Sequence, residues 1–280
     1  MDDLFDLSGQ TALITGSTKG IGKAIAARMA QYGAKVVVSS RKADVCDAVA
    51  DEINKNYAGR GGRAIAIPCH VGHKDQLQSL VSQTEQEFGP IDILVPNAAV
   101  NPYYGPSKDM PDSAWDKVME TNVRSTFWLC NMVIPGMAER GKGVVTIIAS
   151  IAGLQGSVEL FAYAVSKVAE HQMARNFALE YGPRGVRVNA IAPGVIKTDF
   201  AKALWTDPVR LDQMNNKLPL RRFGHPDEIA GAALFLSSKA GAYMTGQVLS
   251  IDGGAAITPD RKSTRLNSSH SSVSRMPSSA

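Results

Sequence analysis

The 280-residue sequence has little of several things, and each shortage removes a class of function. Its three cysteines, Cys46, Cys69 and Cys130, are odd in number, far apart and in no Cys-x-x-Cys spacing. They predict free thiols in a reducing compartment, with neither a disulfide framework nor a zinc site. No apolar run approaches the length of a membrane span, and the start, MDDLFDLSGQ, is acidic. A soluble intracellular chain, without membrane attachment, is expected. Charge of one sign is missing too. The formal net charge is +4, but residues 261–280 hold Arg261, Lys262, Arg265 and Arg275 and no acid, so residues 1–260 sum to zero. A nucleic-acid partner is not expected on this balance.

Linkers are lacking as well. No linker-like run interrupts the pattern before about residue 259, and at 44% hydrophobic the chain can bury a sizeable core, so one domain over residues 1–259 is expected. Residues 260–280 have no hydrophobic periodicity and are rich in Ser and Arg, the composition of a disordered tail. Residues 260–270, DRKSTRLNSSH, also resemble, codon by codon, the in-frame translation of a common short-read sequencing adapter. The tail is therefore expected to be an artefact joined near Pro259. The natural C-terminus, with any targeting tripeptide, is then missing; the expected compartment is cytoplasmic, with a peroxisomal one left open.

What is present is an alternation. Apolar runs at 11–16, 34–40, 63–69, 91–97, 143–150, 186–194 and 246–254 read as strands. Between them, 20–33, 44–57, 74–89, 113–141, 163–181 and 226–238 carry helical periodicity. Seven strands alternating with helices predict an α/β fold, a doubly wound parallel sheet with helices on both faces. Ligands of such sheets sit beyond the carboxyl ends of the strands. One stretch, about 195–222, breaks the rhythm just after a strand, as a substrate lid would.

Residues 15–22, TGSTKGIG, follow the first strand and open the first helix. Gly16 permits a tight turn, Gly20 lets backbone approach a pyrophosphate, and Gly22 lets helix and strand pack closely, which together predict a dinucleotide site. The second strand ends in SSRK, residues 39–42, without the acid that usually meets the ribose of NAD. Ser40 leaves room there, Arg41 offers a planar fork to a 2′-phosphate, and Lys19 can approach from the glycine loop. NADP(H) is the expected cofactor; the alternative is a pair of solvated surface charges.

Tyr163 and Lys167 are spaced i, i+4, so on a helix they share one face. A phenol with a free pKa of about 10 beside an ammonium exchanges its proton nearer neutrality. Ser150 closes the fifth strand, and the following loop can bring its hydroxyl to the same carbonyl oxygen.

Together these motifs make the chain, over about residues 7–257, resemble the short-chain dehydrogenase/reductase family: TGSTKGIG, NAA at 97–99, Asn122, Ser150, YAVSK at 163–167, PGVIKT at 193–198 and IDGG at 251–254. The resemblance implies a Rossmann-type sheet and reversible hydride transfer between NADP(H) and a carbonyl or alcohol. It implies that Tyr163 donates or accepts the proton, that Lys167 tunes it and meets the ribose, that Ser150 donates to the substrate oxygen and that Asn122 supports a water-linked relay. It carries the cofactor site onto Gly16, Ser17, Thr18, Lys19, Gly20, Ile21 and Gly22; Ser40 and Arg41; His70 and Val71; Asn97, Ala98 and Ala99; Tyr163 and Lys167; and Pro193, Gly194, Ile196 and Thr198. Thr198 would meet the carboxamide. No metal is implied, and no His/Cys cluster has ligand spacing, which disfavours a metal-dependent alcohol dehydrogenase.

Two departures stand out. The usual Asn-Asn-Ala-Gly is Pro96-Asn97-Ala98-Ala99 here, and His70 stands where many members place Asp against adenine. His70 either contacts adenine or closes a strand end. HVG at 70–72, NAAVNPYYG at 97–105 and PGVIKTDFAKALW at 193–205 resemble the NADPH-dependent carbonyl and retinal reductases of the family, peroxisomal in mammals, and their bacterial relatives. That implies ketones or aldehydes with apolar groups, walled by Tyr103, Tyr104, Phe200, Leu204 and Trp205. Alternatives are a 3-oxoacyl thioester reductase, with Arg221 and Arg222 facing an acidic carrier protein, and a nucleotide-binding module without turnover. The helices bearing Trp128 and Tyr163 are apolar on more than one face, and the family implies a homotetramer or dimer, with His171 and Met173 as interface or core residues.

Overall fold

In the computed structural model, which describes residues 4–201, 206 and 208–258, the seven apolar runs lie side by side in one parallel sheet. The strands are β1 Thr11–Thr15, β2 Lys35–Ser39, β3 Arg63–Ala66, β4 Ile93–Val95, β5 Gly143–Ile148, β6 Val186–Pro193 and β7 Val248–Ile251. Their order is β3-β2-β1-β4-β5-β6-β7. The chain therefore winds one way through β1, β2 and β3, returns, and winds the other way from β4. The reversal leaves a crevice between β1 and β4, at their carboxyl ends.

The strands are mostly apolar on both sides because helices cover both faces, the condition for an all-parallel sheet. Successive residues supply opposite faces. Ala12 and Ile14 pack with Ile25, Met29, Ile53 and Ile229 from α1 (Gly20–Gln31), α2 (Ala43–Tyr57) and a late helix, Pro226–Ser237. Leu13 and Leu94 pack on the other side with Leu77, Leu129, Met137 and Phe177 from α3 (Lys74–Phe88), α5 (Ser125–Glu139) and α6 (Phe161–Tyr181). The expected single helix over 113–141 is instead three pieces: α4 (Asp112–Val118), a π-helical segment Met119–Arg124 and α5. Between β6 and the late helix, α8, the chain forms a short turn at Asp199–Ala201 and α7 (Pro208–Asn215). The predicted wall residues Leu204 and Trp205, and the predicted tail, lie outside the described residues. No helix of the described residues is long and apolar enough to cross a membrane.

The close approach expected at Gly22 is present. A Cβ there would collide with the Gly16 carbonyl oxygen and stand 2.5 Å from Asn97 Nδ2. Helix propensity favours alanine over glycine by about 1 kcal/mol. The collision involves main chain that cannot swing away, and overpacking of this kind costs about 1–3 kcal/mol. The net cost is up to about 2 kcal/mol, so we expect Gly22→Ala to lower Tm by up to about 8 °C in a thermal melt; a higher Tm would refute the packing role.

Candidate active site

The loop after β1 is built by its neighbours. Gly16 and Gly20 sit at φ +64° and +54°, the left-handed region that favours glycine. Ser17 is fully buried; its hydroxyl donates to the Ile14 carbonyl and accepts from the Ser39 N–H, both at 2.8 Å, stitching β1 to β2. Thr15 Oγ1 accepts from the N–H groups of Asn97 and Ala98, at 3.0 and 3.2 Å. The Asn97 side chain donates to the Thr15 and Gly16 carbonyls, at 2.8 and 3.1 Å. The main task of Asn97 is thus to brace the glycine turn from β4. Helix α1 starts at Gly20 with no side-chain cap and no acid in its first turn. Its unspent N–H groups and positive dipole end are a site for an anion.

This helix end opens into a cavity of about 510 Å³ at the β1/β4 crevice. One end is lined by Ser40, Arg41, Lys42, His70 and Lys117, the other by Tyr163, Lys167, Thr198, Asp199 and Phe200. Asp199 is the only acid among the described lining residues, and it lies 3.9 Å from Lys19 Nζ. The cation-rich end with no carboxylate is where the second strand finishes. Of the residues expected at a cofactor, Gly16, Thr18, Lys19, Gly20, Ile21, Gly22, Ser40, Arg41, His70, Val71, Asn97, Ala98, Ala99, Tyr163, Lys167 and Thr198 line the cavity. Ser17, Pro193, Gly194 and Ile196 do not: Ser17 is spent on the sheet, and Ile196 is buried and bridged to Gly224. His70 closes the strand end and also lines the cavity. Its Nδ1 accepts from the Gly72 N–H at 3.1 Å, closing the turn after β3, while its ring stays on the wall. Burial, then the nearby His73, Lys117 and Arg41, hold its pKa below the usual histidine value.

At the other end, α6 does bring Tyr163 and Lys167 together, with the Lys167 ammonium 5.4 Å from the centre of the Tyr163 ring. Phe200 adds its ring 6.1 Å from that of Tyr163. Lys167 is 1% exposed and donates to the Ile148 carbonyl at 3.2 Å and to both oxygens of Glu170, at 3.0 and 2.8 Å. Burial works to lower the Lys167 pKa, but the Glu170 carboxylate and Tyr163 outweigh it, and the net direction is up. Ser150 caps the short turn Ile151–Gly153 by accepting the Ala152 N–H at 3.1 Å, which uses a lone pair and not its O–H hydrogen. It stands at the end of β5 but does not line the cavity itself.

The Asn122 side chain is spent within the fold. It is fully buried in the π-helical segment and does not line the cavity. Its Oδ1 accepts from the Val100 N–H at 2.9 Å, and its Nδ2 donates to the Val100 carbonyl at 3.1 Å and to Ser166 Oγ at 3.0 Å. Ser166 Oγ in turn donates to the Tyr163 carbonyl at 2.7 Å. The Asn122 side chain is therefore a clamp joining the loop after β4 to the turn that carries Tyr163. His171 is 2% exposed, in the core of this chain, and Met173 packs partly buried against the same core. Tyr103 donates to the Pro106 carbonyl at 2.9 Å, and Tyr104 is about half exposed; neither lines the cavity. Sequence reasoning missed Lys117, which only the fold brings to the wall, and Glu170, whose i, i+3 spacing from Lys167 shows only once its burial is known.

Comparison with known proteins agrees with this geometry. Residues 16–256 match the family model described as Enoyl-(Acyl carrier protein) reductase. The pig protein Dehydrogenase/reductase SDR family member 4 is 41% identical over 250 residues, covering 89% of this chain and 88% of the relative. Among solved structures, a 7 alpha-hydroxysteroid dehydrogenase complexed with NADH and 7-oxo glycochenodeoxycholic acid is 38% identical, with TM-score 0.84 over 91% of this chain and 97% of its own. A gluconate 5-dehydrogenase from Burkholderia cenocepacia, in complex with NADP and tartrate, is 30% identical, with TM-score 0.85 over 92% and 99%. With the glycine turn, the crevice and the paired Tyr163 and Lys167 on one side of the sheet edge, the chain belongs to the short-chain dehydrogenase/reductase family of oxidoreductases.

Proposed function

We propose that residues 1–259 form one catalytic domain that reduces ketones or aldehydes with NADPH, reversibly. The observation that carries this reading is a cavity with two unlike ends: cations without a carboxylate where β2 finishes, and Tyr163 with Lys167 where β5 and α6 meet. The residues fit a dinucleotide. The first turn of α1 takes the pyrophosphate, and Ser40, Arg41 and Lys42 take the 2′-phosphate. When bound, the nicotinamide supplies the hydride. The chain's own residues manage charge at the substrate oxygen. Tyr163 gives it a proton as negative charge develops, Ser150 donates a second hydrogen bond, and Lys167 steadies the phenolate that Tyr163 becomes. Asn122 holds the Tyr163 turn in register through Ser166. Phe200, 60% exposed over Tyr163, suits an apolar substrate group. Exposed Phe127, Val168 and Leu179 on α5 and α6 support a homo-oligomer, a tetramer or dimer.

The test is loss of NADPH absorbance, beside NADH, against an aryl diketone, retinal, a 7-oxo steroid, an aliphatic ketone and an acetoacetyl thioester. NADPH-dependent loss with the aryl or retinoid carbonyls is the expected result. Loss with the thioester alone would replace the substrate class by acyl-thioester reduction, and equal rates with NADH would overturn the cofactor assignment.

A further inference from the structure

Lys167 is gripped by a carboxylate that the Ser150, Tyr163 and Lys167 motif does not include. Glu170 lies one turn along α6, 2% exposed, and both its oxygens accept from the Lys167 ammonium. An ammonium has three N–H donors; the two Glu170 oxygens and the Ile148 carbonyl can take them all. A lone ammonium 5.4 Å from the Tyr163 ring would act on the phenol as a full charge in a dry setting. With a carboxylate 2.8 Å from the same nitrogen, Tyr163 meets an ion pair, whose field is far weaker. Burial alone would make such a pair a poor source of stability, so its presence beside the reacting phenol calls for a role in the chemistry.

We propose that Glu170 is a positioning residue of the reaction: it holds the Lys167 ammonium in place beside Tyr163 and, as its counter-ion, limits how strongly that ammonium favours the Tyr163 phenolate. The proposal rests on the reading of Tyr163 as the proton donor.

The other titratable groups around the pair leave this role to Glu170. Cys130 of α5 is fully buried, and that burial, with Glu170 nearby, keeps it a neutral thiol. His171, next on α6, is pushed down to about 4 by burial, with Arg175 and Lys167 adding to the effect, so it is uncharged near neutrality. Tyr163 faces Lys167 from the same helix, and Lys117 of α4 and Asp199 line the cavity beyond. Burial pushes the Glu170 carboxyl up, against the pull of Lys167.

The experiment is a tyrosinate absorbance titration without cofactor, on wild type, Tyr163→Phe, Glu170→Gln and the double variant. Subtracting the curve of Tyr163→Phe from wild type, and that of the double variant from Glu170→Gln, isolates the Tyr163 step from the other tyrosines. Glutamine keeps the shape and an accepting oxygen but no charge. Loss of the negative charge that sits against the Lys167 nitrogen should move the step lower, by on the order of one pH unit. The acid limb of alcohol oxidation should follow it. An unmoved step, or one moved upward, overturns the proposal. Should Glu170→Gln not fold, the wild type decides. Well above neutrality its infrared spectrum should lack a carboxylic-acid C=O stretch, and such a band would mean an un-ionised Glu170 and sink the counter-ion role. Turnover surviving in Tyr163→Phe would instead remove the acid–base reading itself; an inactive Tyr163→Phe with an unmoved step removes this inference alone.

Discussion

Replacing Tyr163 by phenylalanine should lower kcat/KM for carbonyl reduction by about 10³-fold or more while leaving NADPH affinity nearly unchanged. The substitution deletes one O–H and nothing else. The ring still lies 6.1 Å from Phe200 and 5.4 Å from the Lys167 ammonium, and Lys167 keeps its bonds to Ile148 and Glu170. The cavity wall is therefore preserved, and any loss is assignable to the missing proton. A positioned acid is worth about 10²–10⁴-fold, and a donor aimed at a developing oxyanion about 10²–10³-fold; on the proposed reading Tyr163 combines the two. Steady-state kinetics on the best carbonyl substrate, paired with a fluorescence titration of NADPH, separates the terms. Undiminished kcat would end the proton-donor reading, whereas a collapse of NADPH affinity alone would make Tyr163 a wall residue.

Arg41→Asp should reverse the cofactor preference, lowering the ratio of kcat/KM for NADPH to that for NADH by about 10²-fold or more. A hydrogen bond to a charged partner contributes about 1.5–3 kcal/mol, which converts to roughly ten- to 150-fold in affinity. The aspartate does more than remove it: it sets a like charge against the phosphate and offers an acceptor to the ribose hydroxyls of NADH. Lys42 and Lys117 remain on the wall and Lys19 stands near Asp199, so binding of NADPH should weaken without vanishing. Because the site is open to solvent, the effect should shrink as salt is raised. An unchanged ratio would return Arg41 to a solvated surface charge.

The sequence showed the strands and the two ends of the site for the same reason. Parallel strands buried on both faces are short apolar runs bounded by turn residues, and the residues expected at the site follow within two positions of a strand end, as Gly16, Arg41, Asn97 and Ser150 do. Strand length was less visible: the run at 63–69 shrinks to β3 Arg63–Ala66, an edge strand paired only with β2. The π-helical segment at Met119–Arg124 was not legible, because a change of pitch over six residues hardly disturbs an apolar stripe. Its consequence, Asn122 turned into a clamp, was hidden with it. Glu170 escaped because the stretch VAEHQMARNFAL reads as an apolar helix, and one acid in it looks like a solvent-facing charge. Only the packing of α5 against α6 shows it to be dry.

The strand order also constrains how the protein is made. β1 pairs with β2 on one side and β4 on the other, through Ala12↔Ile93, Leu13↔Leu94 and Ile14↔Val95. A ribosome adding about 5–20 residues per second exposes β1 for on the order of ten seconds before Ile93 is even synthesised. During that interval β1, β2 and β3 can zip together locally, but the other edge of β1 stays open, an apolar strand able to recruit a neighbouring chain. The crevice that serves the mature enzyme is thus a seam that stays open on the nascent one until β4 is made. The Thr15 contacts to Asn97 and Ala98 that brace it form only when β4 docks.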